Sequence, residues 1–184
     1  MSLPAGTHQL GPDNARLSVR TKRAGAAAKA GHDLLIHVTA WNATIVVGED
    51  PASATIELHV DPGSLRVVEG TGGIQALSED DIASIHRTID DEVLKREEIE
   101  FRSTRVDARG DDGRFAVEGE LTIVGRTHPI SFELDVAEDG ALSASAVVTH
   151  TQWGMKPYSA LFGALKVHDD VEVALEGRLA PQSR

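Results

Sequence analysis

Histidine is the residue of this chain best suited to metal binding or acid–base chemistry, and the sequence contains eight. Imidazole binds transition metals and exchanges protons near neutral pH. His32 and His37 are an odd number of residues apart, so on one regular strand their side chains point to opposite faces. No His-Glu-x-x-His motif is present. A metal or catalytic site therefore requires the fold to bring together distant residues, for which His32, His150 and His168 are the candidates.

Other reactive groups are scarce. The chain has no cysteine, which excludes disulfides, thiolate nucleophiles and thiolate metal sites. No nucleophile elbow, phosphate-binding loop or dinucleotide fingerprint occurs. His32 and Asp33 resemble an acid–base pair, but adjacent side chains on a strand point in opposite directions. If His32 lies near the mouth of a barrel, we expect its imidazole to hydrogen-bond the polar head of a ligand. The sequence thus predicts a protein that is not an enzyme, with no catalytic residue, no bound metal and no cofactor.

The charge balance excludes several kinds of partner. The chain has 18 Lys and Arg against 29 Asp and Glu, a net charge of −11. Nucleic acid binding needs a basic patch, and none is evident in the sequence. The overall charge also disfavours electrostatic attraction to an anionic membrane. No apolar run is long enough to span a bilayer, and the N-terminal residues do not resemble a signal peptide, so we expect a cytoplasmic protein.

Alternating apolar and polar residues indicate that most of the chain forms β-strands. Leu34, Ile36 and Val38 alternate with their neighbours, and residues 130–136 repeat the pattern. Turn sequences such as Asp-Asp-Gly at residues 111–113 separate about eight to ten such segments. We therefore predict one domain over residues 1–184, an all-β antiparallel barrel or sandwich with short helical turns. The alternation does not distinguish a filled interior from a hollow one.

One helix is predicted within this series of strands, over about residues 78–96. Ser78 is suited to cap its first turn, and Asp81 stands three residues later, as in a capping box. An apolar stripe at helical spacing would face the strands. The stripe consists of Ile82, Ile85, Ile89 and Val93.

The segment from residue 152 to 173 contains a large share of the few aromatic residues of the chain. It begins as a strand end, is interrupted at Gly154 and Pro157, and resumes alternation at residue 167. Trp153, Tyr158 and Phe162 lie beside the interruption. Because aromatic side chains often line binding sites, we expect these three at the mouth of a barrel.

Four segments in a fixed order resemble the YceI-like family. Residues 119–130 read GELTIVGRTHPI, similar to the hairpin motif of that family. Residues 99–103, IEFRS, resemble the preceding strand, and the predicted helix stands where the family has one. The tripeptide at 153–155, Trp-Gly-Met, matches an aromatic-Gly-apolar position. The segment around Gly31-His32-Asp33-Leu34, the residues 156–159 and the lack of a leader depart from the family pattern.

The resemblance implies a lipocalin-like barrel, often a homodimer, that holds an isoprenoid or similar amphipathic chain, and whose family members are usually periplasmic. The expected partner is an apolar small molecule or lipid such as an isoprenoid, a quinone or a fatty acid. A packed barrel that serves as a protein-interaction module is the second alternative to this function. The candidate ligand-binding residues lie on apolar strand faces and near the mouth: Leu34, Ile36, Val38, Phe101, Phe132, Leu134, Trp153, Tyr158, Phe162, Leu165 and His32.

Overall fold

The computed structural model describes residues 5–48, 53–110 and 112–179, most of which form β-strands. Eleven strands form one antiparallel sheet, and three short strands form a second. The strands are β1 (Gly6–Leu10), β2 (Ala15–Thr21), β3 (Arg23–Ala24), β4 (His32–Val38), β5 (Trp41–Val47), β6 (Thr55–Val60), β7 (Leu65–Gly72), β8 (Ile99–Ala108), β9 (Arg114–Ile123), β10 (Arg126–Val136), β11 (Ala141–Thr149), β12 (Ser159–Ala160), β13 (Leu165–Val167) and β14 (Asp170–Arg178).

The large sheet is strongly curled, which confirms the predicted lipocalin-like all-β fold. Its strand order is β1-β5-β6-β8-β9-β10-β11-β14-β2-β4-β7. Successive strands from β8 to β11 are joined by hairpins because turn sequences separate them. Strands β12, β13 and β3 form the small sheet beside one end of the large one.

A bent two-stranded ribbon connects the two ends of the curled sheet. One strand of the ribbon continues from β4 into β5, and the other continues from β6 into β7. At the bend, Thr39 N donates to Ser64 O and Asp61 N donates to Ala40 O, both at 3.0 Å. These hydrogen bonds continue the pairing across the corner. The ribbon therefore joins the pair β4–β7, at one edge of the sheet, to the pair β5–β6, which lies beside the other edge strand β1.

The predicted helix is present, and its start agrees with the sequence. Helix α1 spans Glu79–Arg87, and one π-helical turn extends it over Thr88–Val93. Ser78 Oγ accepts from Asp81 N, and the Asp81 side chain accepts from Ser78 N at 2.9 Å, which completes the capping box. The helix ends before residue 96, because Lys95 and Arg96 adopt positive φ angles. No helix in the described part of the chain has the length and hydropathy needed to cross a membrane.

The interior of the curled sheet is filled at one end only. Phe115 and Val117 on β9 are buried, as are Val106 on β8 and Leu142 on β11. Residues nearer the other end of the same strands face an open cavity instead. The sequence left a filled and a hollow barrel as alternatives, and the structure combines the two.

Candidate ligand-binding cavity

The hollow end of the barrel contains a cavity of about 770 Å³. That volume lies within the range of about 300–1,000 Å³ typical of small-molecule sites. Most of the wall is apolar, because the inward-facing residues of the large sheet alternate with polar residues that face outward. Half-buried Ile85, Ile89 and Val93 of the helical region complete one side.

Two phenylalanines form part of the wall where the packed end meets the cavity. Phe101 on β8 and Phe132 on β10 have ring centroids 5.4 Å apart in a tilted arrangement. Gly119 lies between them on β9 and leaves room for the Phe101 ring, since a Cβ atom at this position would stand 2.5 Å from that ring. The first glycine of the hairpin motif thus has a packing role.

Nine of the eleven residues predicted to bind a ligand line the cavity. This is a finding about position, and ligand contact remains a prediction for each of them. Seven belong to the large sheet, including His32 at the start of β4, while Leu165 lies on β13 of the small sheet and Tyr158 immediately precedes β12. They are Leu34, Ile36, Val38, Phe101, Phe132, Leu134, Tyr158, Leu165 and His32.

The other two predicted residues, Trp153 and Phe162, lie outside the cavity wall. Trp153 is buried, its Nε1 donates to Leu121 O at 2.8 Å, and its ring stands edge-on to His128. This indole packs against the β9–β10 hairpin because its N–H finds a backbone acceptor there. Phe162 lies at an exposed hairpin tip with its side chain fully accessible to solvent.

Polar side chains concentrate around one opening of the cavity, which we call the mouth. His32 Nε2 donates to Gln75 O at 2.8 Å, and Arg23 Nη1 donates to Gly31 O at 2.8 Å. Tyr158, just before β12, and Lys166 on β13 also line this part of the cavity. The arrangement, with an apolar interior and a polar mouth, suits an amphipathic molecule.

Thr21 is a polar residue of the wall whose hydroxyl makes no hydrogen bond to any described residue. It ends β2 and is followed closely by Arg23, a residue of the mouth. A buried hydroxyl without a partner is unfavourable, so the head group of a ligand would gain by bonding to it. Sequence analysis missed Thr21, because its position on an inward strand face was the sole signal available.

Two carboxylates fix the segments that flank the mouth. The Asp81 pKa lies below its usual value because Ser78 donates hydrogen bonds from its hydroxyl and its backbone N–H. The Asp169 pKa is lowered mainly by the hydroxyl of Thr151, and the Thr151 N–H also donates to this carboxylate. Asp81 orders the start of α1, and Asp169 orders the turn His150–Trp153 that precedes the small sheet.

The three histidines proposed for a metal or catalytic site do not form a cluster. His150 Nδ1 donates to Asp169 O at 2.8 Å, and His168 Nδ1 accepts from Asp170 N at 3.1 Å. Within the described ranges, one group of three potential ligands has its atoms within 4.8 Å of one another, and it contains none of the three. It consists of His59, Glu98 and Glu100, where His59 Nδ1 stands 3.5 Å from each carboxylate.

The helical side of the cavity was also missed as a binding surface. Ile74 and Leu77 precede α1 and line the cavity together with the helical isoleucines. The apolar stripe on the predicted helix was the available signal, but it gave no indication that the stripe faces a cavity.

The family model described as YceI-like domain matches residues 9–179. No curated protein sequence is a significant match. BcnA from Burkholderia cenocepacia is structurally similar at 13% identity, with a TM-score of 0.66 over 91% of this chain and 96% of its own.

Two further solved structures share the fold. A polyisoprenoid binding domain from Saccharophagus degradans, implicated in plant cell wall breakdown, has 8% identity and a TM-score of 0.56, covering 95% of this chain and 99% of its own. The Campylobacter jejuni YCEI protein has 16% identity and a TM-score of 0.54, covering 81% and 85%. The family match extends over nearly the whole curled sheet, and the chain therefore belongs to the YceI-like domain family.

Proposed function

We propose that this protein binds or sequesters an amphipathic molecule with a long apolar chain, such as an isoprenoid, a quinone or a fatty acid, without catalysis. The observation that carries the proposal is the cavity of about 770 Å³, which is apolar inside and polar at its mouth. A fully packed interaction module would not have this cavity. The description of the Saccharophagus degradans neighbour as a polyisoprenoid binding domain is consistent with the proposal.

The energetics favour a long chain over a short one. Each buried methylene contributes roughly 0.8 kcal/mol, so ten contribute about 8 kcal/mol. Association costs roughly 4–15 kcal/mol. A ligand with ten buried carbons would bind weakly, whereas twenty buried carbons contribute about 16 kcal/mol, which covers the whole of this cost.

The polar end of the ligand would lie at the mouth. Thr21 offers an unpaired hydroxyl, Lys166 offers a positive charge, and His32 offers an imidazole edge beside Gln75. Thr21 and Lys166 suit a head with hydrogen-bond acceptors, such as a hydroxyl, a quinone carbonyl or a carboxylate. When His32 Nε2 donates to Gln75 O, the other nitrogen of the neutral ring can accept a hydrogen bond from a hydroxyl head group. We assign these groups to holding and orienting a ligand.

The first test is native mass spectrometry of purified protein, followed by organic extraction of any adduct. Delipidated protein would then be titrated with geranylgeraniol, decylubiquinone and palmitate. We expect a stoichiometric complex with at least one of the three. Failure to bind any isoprenoid, quinone or fatty acid would overturn the proposal.

A pair of variants on β11 tests whether the cavity is the site. Ala144 lines the cavity, whereas its neighbour Ser143 is exposed and absent from the wall. Ala144→Trp should fill the cavity and weaken binding at least tenfold, while Ser143→Trp should leave affinity unchanged. Equal affinities for the two variants would place the ligand elsewhere.

A further inference from the structure

The hairpin between β12 and β13 presents two large apolar side chains to solvent. Phe162 is fully exposed and Leu161 is 60% exposed. Both residues have left-handed backbone angles, with φ of 51° at Leu161 and 55° at Phe162. This conformation is unfavourable for bulky residues, and strain of this kind is concentrated at functional sites. Exposure of two adjacent apolar side chains indicates a contact surface that the chain itself does not cover.

Backbone pairing holds this tip in place. Ser159 pairs with Lys166 and Ala160 pairs with Leu165, which closes the hairpin directly below the tip. Ala27 N donates to Ala164 O at 2.8 Å, so the segment after β3 supports the hairpin. Leu161 and Phe162 therefore lie at the end of a hairpin that backbone hydrogen bonds hold in place.

The region around the tip has a charge opposite to that of the chain as a whole. We define the basic lobe as residues 22–31 and 152–167, which contain the small sheet. It has five of the 18 Lys and Arg of the chain and none of its 29 Asp and Glu. The overall charge predicts no attraction to anionic surfaces, but these positive charges are gathered on one lobe.

The lysines of the basic lobe are available to an external partner. All four are exposed, and none forms an ion pair within the described part of the chain. The fifth basic residue of the lobe, Arg23, does form an ion pair, with its Nε 3.8 Å from Asp33 Oδ1. The four lysines are Lys22, Lys29, Lys156 and Lys166.

The exposed tip also adjoins the mouth of the cavity. Tyr158, Leu165 and Lys166 line the cavity and belong to the same hairpin that presents Leu161 and Phe162. Any surface that contacts Leu161 and Phe162 would therefore lie beside the mouth of the cavity.

We propose that the basic lobe docks on the surface of an anionic lipid bilayer, with Leu161 and Phe162 inserted among the lipids. An apolar tip on a lobe with four exposed lysines matches the interface, where side chains enter the apolar layer and cations contact anionic head groups. Docking does not depend on the cavity being occupied. It would place the opening against a source or acceptor of apolar molecules.

The test measures co-sedimentation of the protein with vesicles of phosphatidylcholine alone or mixed with an equal part of phosphatidylglycerol. We expect binding to the mixed vesicles that weakens with added salt. The double variant Leu161→Ser with Phe162→Ser, and the double variant Lys22→Glu with Lys156→Glu, should each bind about tenfold more weakly or worse.

Matched controls change the same chemistry elsewhere on the surface. Arg16→Glu with Arg109→Glu alters the net charge as the lysine variant does, but at exposed positions on β2 and just after β8, away from the lobe. Val147→Ser removes an exposed apolar side chain from β11. Both controls should retain at least half of the vesicle binding, and equal losses in controls and lobe variants would overturn the proposal.

A fluorescence measurement tests insertion itself. Both native tryptophans, Trp41 and Trp153, are buried, so the F162W variant adds one exposed reporter. Its emission should shift to the blue with mixed vesicles and be quenched by brominated lipid. No shift, or a tip that is instead buried in a concentration-dependent dimer by sedimentation, would overturn membrane docking. Ligand titration of the same variants is expected to be unchanged, which separates this proposal from the function of the cavity.

Discussion

Two segments flank the mouth of the cavity, and they direct their apolar side chains in opposite ways. The helical segment, residues 73–94, turns Ile85, Ile89 and Val93 toward the cavity, and its first turn is acidic. The basic lobe has no acidic residue and turns Leu161 and Phe162 into solvent. The apolar stripe of the helix is therefore covered by its own chain, and of this segment's large apolar residues only Ile74, before the helix, is mostly exposed. The lobe instead leaves its two adjacent apolar side chains uncovered.

The comparison also separates two aromatic residues nine positions apart. Trp153 joins the lobe to the barrel, whereas Phe162 contributes no buried surface to the fold. Both looked alike in the sequence, as aromatic residues beside an interrupted strand. Their difference teaches that the base of the lobe is part of the core and its tip is not.

The largest expected effect tests this division directly. Trp153→Ala should lower the free energy of unfolding by about 3–5 kcal/mol, because it empties a buried site and removes the partner of Leu121 O. Phe162→Ala should change it by less than about 0.5 kcal/mol. Urea denaturation with fitted midpoints and slopes measures both. Similar losses for the two variants would mean that the tip also packs against the fold.

A smaller effect is expected at the start of the helical segment. Ser78→Ala removes the capping box and should cost about 1 kcal/mol. The loss should appear as faster amide hydrogen exchange in α1, while the strands of the barrel keep their protection. Ser143→Ala, an exposed serine on β11, serves as the control and should change neither. Uniformly faster exchange across the barrel would show that the helical segment does not open independently.

The smallest expected effect is a pH dependence of the contact between α1 and the edge strand β7. Val67 N donates to His86 Nε2 at 2.9 Å, which requires that nitrogen to be unprotonated. Burial, and secondarily the charge of Arg66, lowers the His86 pKa. The unfolded chain then binds the proton more readily, so this contact stabilises the fold fully above the ordinary pKa of about 6.5 and is lost as the pH falls through the lowered folded value.

His86→Gln sharpens this prediction, because glutamine can accept the same hydrogen bond without titrating. Thermal unfolding from neutral pH to mildly acidic pH should show a steeper loss of stability in the unmodified protein than in the variant. Ser78→Ala keeps His86 and should retain the steeper slope. A slope unchanged by His86→Gln would assign the pH dependence to other groups.

Much of the candidate site was predictable because strand alternation fixes which side chains share a face. Leu34, Ile36 and Val38 were assigned to one inward face, and all three line the cavity. The capping box at Ser78 was equally local, since it depends on residues three positions apart. The cytoplasmic location, the homodimer and the absence of catalysis stay predictions.

Other features could not be predicted because they depend on how distant strands meet. Thr21 and Gln75 reach the mouth only when β2 and β7 flank β4 in the sheet. The proposed approach of His32, His150 and His168 was wrong for the same reason: separate backbone partners hold each ring. Pairwise spacing along the chain carries no information on such contacts.

The sequence by itself determined the strands, the capped helix and the inward faces, because each follows from periodicity or from a contact within a few residues. Only the tertiary structure decided that one end of the interior is packed around Phe115 and Val117 while the other remains hollow. The same alternation of apolar and polar residues occurs along the strands at the packed end and at the hollow end. Whether inward side chains fill the space between them depends on the distance across the curled sheet, which no single strand encodes.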